Sequence, residues 1–147
     1  MLKVGDQAPD FTLQTDKGET VTLSSLRDKP VVLFFYPKDD TPGCTIECKE
    51  FRDARDRYVS RAHVFGISAD DVASHQAFVA KYTLNFPLLA DAGHRVADEY
   101  GVWGPTPWGD GIHRTTFVIG TDGRVARVFE KVKPQGHADE VLGALPA

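Results

Sequence analysis

The stretch that decides the fold runs from Val31 to Cys48 and reads VVLFFYPKDDTPGCTIEC. Its first part, residues 31–36, is an unbroken apolar run, which is typical of a strand buried on both faces of a sheet. Prolines and a glycine then interrupt regular structure. Beyond the stretch, residues 49–58 repeat apolar side chains at helical spacing. The pattern predicts that Cys44 lies in the first turn of a helix that directly follows the carboxyl end of a central strand.

A cysteine at the start of a helix has distinctive chemistry. The first backbone N–H groups of a helix lack internal partners and form the positive end of its dipole. They stabilise a thiolate, so we expect the pKa of Cys44 to fall below the ordinary value of ~8.5, and they can also hold a small polar ligand. The alternative is a buried structural cysteine, since free cysteine is among the most buried residue types. The Pro-Gly turn before Cys44 and the second cysteine, Cys48, favour the reactive interpretation.

A specific motif surrounds this cysteine. Residues 34–45 read FFYPKDDTPGCT and contain the spacing Pro37-x-x-x-Thr41-x-x-Cys44. The motif resembles the peroxidatic-cysteine motif of peroxiredoxins in the bacterioferritin-comigratory-protein (PrxQ) branch, and the likeness extends from VGDQAPDF near the start of the chain to RTTFVI near its end. The resemblance implies a thioredoxin-like fold and a thiol-dependent peroxidase for antioxidant defence, which reduces hydrogen peroxide and organic hydroperoxides. It also implies a thioredoxin-like dithiol as reductant and, because this branch is often monomeric, a monomer.

The resemblance also implies roles for individual residues. Cys44 is the nucleophile that attacks the O–O bond and becomes a sulfenic acid. The Thr41 hydroxyl donates and accepts hydrogen bonds, so it is suited to contact the Cys44 sulfur and the peroxide in turn. Arg114, which by position alone would be a surface cation at a strand end, would stabilise the thiolate and the transition state. Pro37 would stiffen the loop and exclude water. The implied substrate-binding set is Pro37, Thr41, Gly43, Cys44 and Arg114.

Cys48 departs from the pattern of this branch. The resolving cysteine commonly lies five residues after the peroxidatic one, where Lys49 stands in this chain, so Cys48 is one residue early. Side chains four apart on an intact helix have Cβ atoms about 5–6 Å apart, whereas a disulfide requires about 3.5–4.5 Å. We hypothesise that the helical turn distorts and that Cys48 forms the disulfide with Cys44. Chemistry with an external thiol and a free Cys48 is the alternative.

Composition sets wider limits. A chain of 147 residues is long enough for one domain with a substantial core, predicted to span residues 1–147. The net charge of −4 argues against a nucleic-acid surface. Two cysteines and the lack of an apolar signal segment favour a reducing compartment, and we expect a cytoplasmic protein. The longest apolar run is too short to cross a bilayer, so no membrane association is expected.

The remaining segments alternate between strand and helix patterns. Hairpins are predicted at residues 12–23, with a turn at Gly18, and at residues 115–129, with a turn at Asp122-Gly123. The other predicted elements are a capped helical turn at 24–27, strands at 62–68 and 86–90, and helices at 44–58, from Asp70 or Asp71 to Tyr82, from Asp91 to Tyr100 and at 136–145. Residues 101–113, with Trp103 and Trp108, form a long loop in this prediction. The predicted fold class is α/β: a thioredoxin-like fold with a central mixed β-sheet flanked by helices and an N-terminal β-hairpin extension.

Several other functions fit parts of the sequence. A thioredoxin-type oxidoreductase would show Cys-x-x-Cys and an X-Pro pair before the strand at Thr115, and both are missing. A serine hydrolase would carry Gly-x-Ser-x-Gly, which is absent from the sequence. A binding module with an inert Cys44 stays open. So does a metal site, although the spacing does not favour one and we expect neither metal nor cofactor; its candidate ligands would be Cys44, Cys48, His113 and His137.

Polar residues near this stretch have simpler interpretations. Asp39 and Asp40 are predicted to be solvated loop residues, because a carboxylate aimed at Cys44 would raise the pKa of that thiol. The remaining histidines show no partner pattern and are predicted to face solvent or the edge of the core: His63, His75 and His94.

Overall fold

The computed structural model describes residues 1–145. The strands are β1 (Thr12–Thr15), β2 (Thr20–Thr22), β3 (Val31–Phe35), β4 (His63–Ser68), β5 (Leu88–Ala90), β6 (Trp103–Thr106), β7 (Gly109–Ile112), β8 (Thr115–Ile119) and β9 (Val125–Phe129). The helices are α1 (Pro42–Asp53), α2 (Arg55–Tyr58), α3 (Val72–Tyr82), α4 (Arg95–Glu99) and α5 (His137–Gly143), with a short 3₁₀ turn at Leu23–Ser25. The last two positions of the predicted domain lie outside the described residues.

Seven strands form one mixed sheet in the order β2-β1-β5-β4-β3-β8-β9. The central strands β3, β4 and β5 are parallel, whereas β1 and β8 join them antiparallel. The β1–β2 hairpin turns at Gly18, whose φ of 77° is open to glycine without strain, and extends the sheet beyond β5. The predicted mixed sheet with an N-terminal hairpin extension is confirmed.

Strand β3 lies between the two halves of the core, and all five of its residues are buried. Because side chains alternate across a strand, Val32 and Phe34 belong to the core half beneath α1, α3 and α5. Leu33 and Phe35 belong to the other half, beneath α4 and the N-terminal segment. Phe34 stacks on Phe51 of α1 with ring centroids 4.6 Å apart, so α1 is held against the strand that precedes it.

Three predicted elements differ from the observed ones. The predicted helix at 44–58 begins earlier, at Pro42, and is interrupted at Ala54, which separates α1 from α2. The predicted helix at Asp91 begins only at Arg95, but the Asp91 carboxylate accepts from two backbone N–H groups of α4 and so caps it from outside. The predicted loop at 101–113 contains the antiparallel pair β6 and β7. Glycines in this segment hide the alternation of apolar and polar side chains that would indicate strands.

Within residues 1–145, none of the helices has both the length and the apolar character needed to cross a bilayer.

Candidate active site

The loop of residues 36–41 leads from the end of β3 directly into α1. Thr41 is the N-cap residue in an extended conformation, and Pro42 occupies the first helical position. A proline is favoured there because the N–H that it lacks would have no partner in the helix. Cys44 is the third residue of α1, so its predicted position in the first turn is confirmed.

Sheet register brings Arg114 to Cys44. Strand β8 runs antiparallel to β3 with Phe35 opposite Thr115, so the residue before β8 lies at the carboxyl end of β3. The Nη2 of Arg114 donates to the Cys44 Sγ at 3.3 Å. Gly43 permits this approach, because a Cβ at that position would lie 3.0 Å from the same Nη2. Arg114 is therefore not a free surface cation but a neighbour of the sulfur.

Glu47 completes this group and was not identified from the sequence. Its Oε1 accepts from the Nη1 of Arg114 at 2.7 Å, and its side chain is fully buried. Burial raises the pKa of the Glu47 carboxyl to about 7, although the charge of Arg114 acts in the opposite direction. For Arg114, burial would lower the pKa, but the adjacent Cys44 and Glu47 raise it. Glu47 follows Cys44 by three residues on the same helix, and this spacing was the signal in the sequence that both side chains share a face.

One oxygen of Glu47 lacks a partner. Its Oε2 is buried without a hydrogen bond and lies 4.0 Å from the Nε2 of His137. That histidine nitrogen instead pairs with the Thr116 hydroxyl at 2.7 Å. Burial lowers the pKa of His137, which opposes a charged ion pair with Glu47. The carboxylate thus depends on Arg114 for its stabilisation.

Thr41 and Pro37 lie where the sequence places them, on the loop before α1. The Thr41 hydroxyl donates to the carbonyl of Lys38 at 2.8 Å rather than to the sulfur. Its lone pairs therefore remain able to accept a hydrogen bond from a bound molecule. Pro37, Thr41 and Arg114 all line a groove of about 560 Å³.

Residues of the β6–β7 hairpin also line this groove. Ile112 contributes a buried apolar side chain at the end of β7, and Trp108 lies at the turn with 93% of its surface exposed. Pro42 and Gly43 line the groove as well. The lining of the groove therefore combines apolar surface with the guanidinium of Arg114.

Cys48 lies on the buried face of α1. Both cysteines are free thiols without exposed surface, and they belong to the same core half. Burial raises the pKa of the Cys48 thiol, and the nearby Glu47 and Cys44 raise it further. In the folded state Cys48 is a protonated core residue, whereas Cys44 has a cation beside it.

Two predictions about nearby polar residues are wrong. Asp39 is not a solvated loop residue; it is buried and accepts from the Tyr36 hydroxyl at 2.6 Å and from the Ser74 hydroxyl at 2.8 Å. His75 does not face solvent or the edge of the core; it is fully buried against Asp39. Both side chains have polar partners distant in sequence, which a local pattern cannot reveal. Asp40 remains on the surface, where it pairs with Lys81.

The four residues considered as metal ligands do not converge. His113 directs its Nε2 to the carbonyl of Pro105, and His137 faces Thr116. Within residues 1–145, three histidine, cysteine or carboxylate donor atoms come within 4.8 Å of one another at a single place: Asp39, Asp70 and His75.

The chain is similar to known proteins over nearly its whole length. A family model described as the AhpC/TSA family matches residues 4–128. The chain is 48% identical to a putative peroxiredoxin bcp of Coxiella burnetii, with 98% of this chain and 99% of that protein covered. It is similar to the crystal structure of a Xylella fastidiosa PrxQ mutant, with a TM-score of 0.93, 34% identity, and coverage of 97% of this chain and 94% of the other. A structure of the Xanthomonas campestris bacterioferritin comigratory protein matches with a TM-score of 0.87 at 34% identity, covering 98% of this chain and 95% of the other. Family match, identity and fold agree with the cysteine–arginine pair at the start of α1, and the chain belongs to the AhpC/TSA family, in its Bcp/PrxQ peroxiredoxin branch.

Proposed function

We propose that this peroxiredoxin reduces hydroperoxides through Cys44, with Arg114, Thr41, Gly43 and Pro37 forming the rest of the site. The observation that carries the assignment is the 3.3 Å contact between the Arg114 Nη2 and the Cys44 Sγ at the start of α1. The thiolate attacks one oxygen of the hydroperoxide, the O–O bond breaks, and an S–O bond forms. Cys44 becomes a sulfenic acid, and the leaving hydroxide or alkoxide takes a proton to give water or an alcohol.

Ionisation of the thiol alone cannot make this reaction fast. A thiol with the ordinary pKa is a few per cent ionised at neutral pH, so full ionisation gains roughly 30-fold, about 2 kcal/mol. Stabilisation of charge on the leaving oxygen must supply the remainder. Arg114 is the permanent cation at the sulfur. The Thr41 hydroxyl accepts from the hydroperoxide O–H, while backbone N–H groups at Gly43 and Cys44 hold its oxygens.

Cys48 is the proposed resolving residue. Its thiol sulfur attacks the Cys44 sulfur, the S–O bond of the sulfenic acid breaks, and a disulfide and water result. Since an intact helix keeps positions 44 and 48 too far apart for a disulfide, α1 must unwind locally. Two features support this: the N-cap Thr41 makes no side-chain capping bond, and Gly43 lowers helix propensity in the first turn. Oxidation of the Cys44 thiolate to a sulfenic acid also removes the negative charge of the sulfur beside Arg114, whose bond to Glu47 does not involve that sulfur.

The groove beside Arg114 supports organic hydroperoxides as substrates alongside hydrogen peroxide. Trp108 and Ile112 offer apolar surface to an alkyl or aryl tail, while Arg114, which contacts the Cys44 sulfur, lines the same groove. The related Xanthomonas campestris protein has been studied for its alkyl peroxide reduction activity.

A thioredoxin-type dithiol is the proposed reductant, and the proposed form is a cytoplasmic, single-domain monomer that binds neither membranes nor nucleic acid. Two free cysteines fit a reducing compartment, and the net charge of −4 disfavours nucleic acid. Sedimentation of the reduced protein at micromolar concentration tests the monomer directly.

Peroxide consumption coupled to a thioredoxin system tests the cycle. We expect wild type to turn over, Cys44→Ser to be inactive, and Cys48→Ser to complete one turnover and then stop. Mass spectrometry of the peroxide-treated wild type should show the two cysteine peptides joined with the loss of two hydrogens. Full turnover by Cys48→Ser with the same dithiol would instead show that an external thiol resolves Cys44.

A further inference from the structure

A buried polar cluster lies directly behind the active-site loop. Asp39, two residues before Thr41, has its carboxylate bonded to the Tyr36 hydroxyl at 2.6 Å, the Ser74 hydroxyl at 2.8 Å and the His75 Nδ1 at 2.7 Å. Ser74 and His75 belong to α3, which follows β4. Because β3 and β4 are parallel neighbours, their carboxyl ends meet here, and α3 supports the loop that leads into α1.

The hydrogen-bond partners of the two ring nitrogens indicate the charge of His75. Its Nε2 lies 2.9 Å from the carbonyl of Leu89, which can only accept, so this nitrogen carries a proton. Its Nδ1 lies 2.7 Å from a carboxylate oxygen of Asp39, which also accepts from two hydroxyls, so Nδ1 donates when Asp39 is ionised. An ionised Asp39 therefore pairs with an imidazolium at His75, in which both ring nitrogens donate.

The surrounding charges agree with this state. Burial would lower the pKa of His75, but the hydrogen bond and charge of Asp39, the Leu89 carbonyl and the charge of Asp70 outweigh it and raise the pKa. Asp70 accepts from the backbone N–H of Asp39 at 2.8 Å, so it also ties the loop to the end of β4. Two further titratable groups adjoin the cluster: Tyr36, whose pKa is raised by burial so that it stays a neutral donor, and Cys48, whose pKa is raised by burial so that it stays protonated.

The next loop residue, Asp40, also contacts α3, but these contacts are exposed to solvent. Asp40 adopts a left-handed φ of 57° and bonds to Lys81 and Tyr82, each at 2.7 Å. Exposed ion pairs of this kind contribute about 0–1 kcal/mol. The buried pair is costly to break, because removing one partner leaves an uncompensated charge in the interior. The loop conformation therefore depends mainly on His75 and Asp39.

We propose that His75 is a positioning residue of the peroxidase, whose imidazolium holds Asp39 and thereby places Thr41 and the first turn of α1 for the hydroperoxide. This role rests on the proposed reaction of Cys44. His75 touches neither sulfur nor peroxide and acts only through the loop.

The first test is the protonation state. We expect the ring ¹⁵N signals of His75, assigned by their loss in His75→Asn, to show both nitrogens protonated at pH 7. A neutral tautomer at pH 7 would overturn the proposal. So would stoichiometric binding of Zn²⁺ to wild type that is lost in the variant, because the donor atoms of Asp39, Asp70 and His75 would then serve a metal.

The second test separates positioning from stability. Asn keeps a donor toward Asp39, whereas His75→Leu removes it. We expect the second-order rate constant of Cys44 with hydrogen peroxide to fall about 10- to 100-fold in His75→Leu, with partial recovery in His75→Asn. Alkylation of Cys44 by iodoacetamide, which requires no placed peroxide, should change less than threefold. His63→Asn, which alters a partly exposed histidine paired with Asp28, is the matched control and should leave both rates unchanged.

The pH profile remains informative even if the Leu variant does not fold. Wild type should lose peroxide reactivity at high pH as His75 loses its proton, and His75→Asn should lack that descending limb. Equal profiles, or equal losses in the peroxide and iodoacetamide reactions, would refute a positioning role. A wild-type Cys44 that does not react with peroxide at all would refute the proposed function instead.

Discussion

Replacing Glu47 by Gln should stabilise the reduced protein above neutral pH. The native carboxyl has its pKa raised from an ordinary 4.5 to about 7 by burial. The native state therefore binds more protons than the unfolded state between these values, and stability falls as pH rises through this window. The difference corresponds to about 3 kcal/mol of stability lost by about pH 8. The amide keeps the shape of the side chain and an oxygen for Arg114, but it carries no charge.

Urea unfolding of reduced wild type and Glu47→Gln, followed by tryptophan fluorescence from pH 5 to 8.5, measures this effect. The titratable groups that interact with Glu47 are Glu50, Arg114, His137 and Cys48, and they are present in both proteins, so the difference between the two curves isolates position 47. Between pH 5 and pH 8, we expect the free energy of unfolding of the variant to rise by about 2–3 kcal/mol relative to that of wild type.

Glu99→Gln is the matched control, because its exposed ion pair with Arg95 lies in water. Its difference from wild type should not depend on pH. If Glu47→Gln also differs from wild type by a constant amount at every pH, then Glu47 does not titrate in this window and the burial argument is wrong. A variant that becomes less stable as pH rises would show that Arg114, left without a counter-charge, dominates the energetics.

Four further predictions follow from the geometry. Arg114→Lys should slow the reaction with hydrogen peroxide roughly 100-fold in stopped-flow measurements, because one ammonium cannot reach both Cys44 and Glu47 as the planar guanidinium does; an unchanged rate would contradict the assigned role. Trp108→Ala should lower kcat/KM for cumene hydroperoxide but not for hydrogen peroxide, and equal effects on the two substrates would exclude an apolar wall. Gly66→Ala should lower the free energy of unfolding by about 2 kcal/mol in urea, since the added Cβ would lie 2.8 Å from the buried side chains of Phe34 and Leu88; a variant as stable as wild type would show that these side chains move aside. Asp71→Ala should cost about 1 kcal/mol by the same assay, because its carboxylate caps α3 through the N–H of Ser74 at 2.8 Å; no change would mean that solvent replaces the cap.

Local patterns were sufficient wherever neighbours in sequence determine structure. The apolar run before Pro37 predicted the central strand, and the proline-glycine turn predicted that Cys44 begins a helix; both are observed. The hairpin turns at Gly18 and Gly123 were also predictable, because each glycine adopts a positive φ that the turn requires. The same patterns missed the β6–β7 hairpin, whose glycines leave little alternation to detect.

By itself, then, the sequence determined the strand, loop and helix that present the Cys44 sulfur, because those depend on residues close together in the chain. Only the tertiary structure decided what surrounds that sulfur. The pairing of β3 with β8 brought Arg114 to Cys44 across 70 positions. Burial then set the electrostatics: it raised the pKa of Glu47 to about 7, and it placed His75 between the Asp39 carboxylate and the Leu89 carbonyl. The charge of a buried group depends on the atoms packed around it, and these come from every part of the chain.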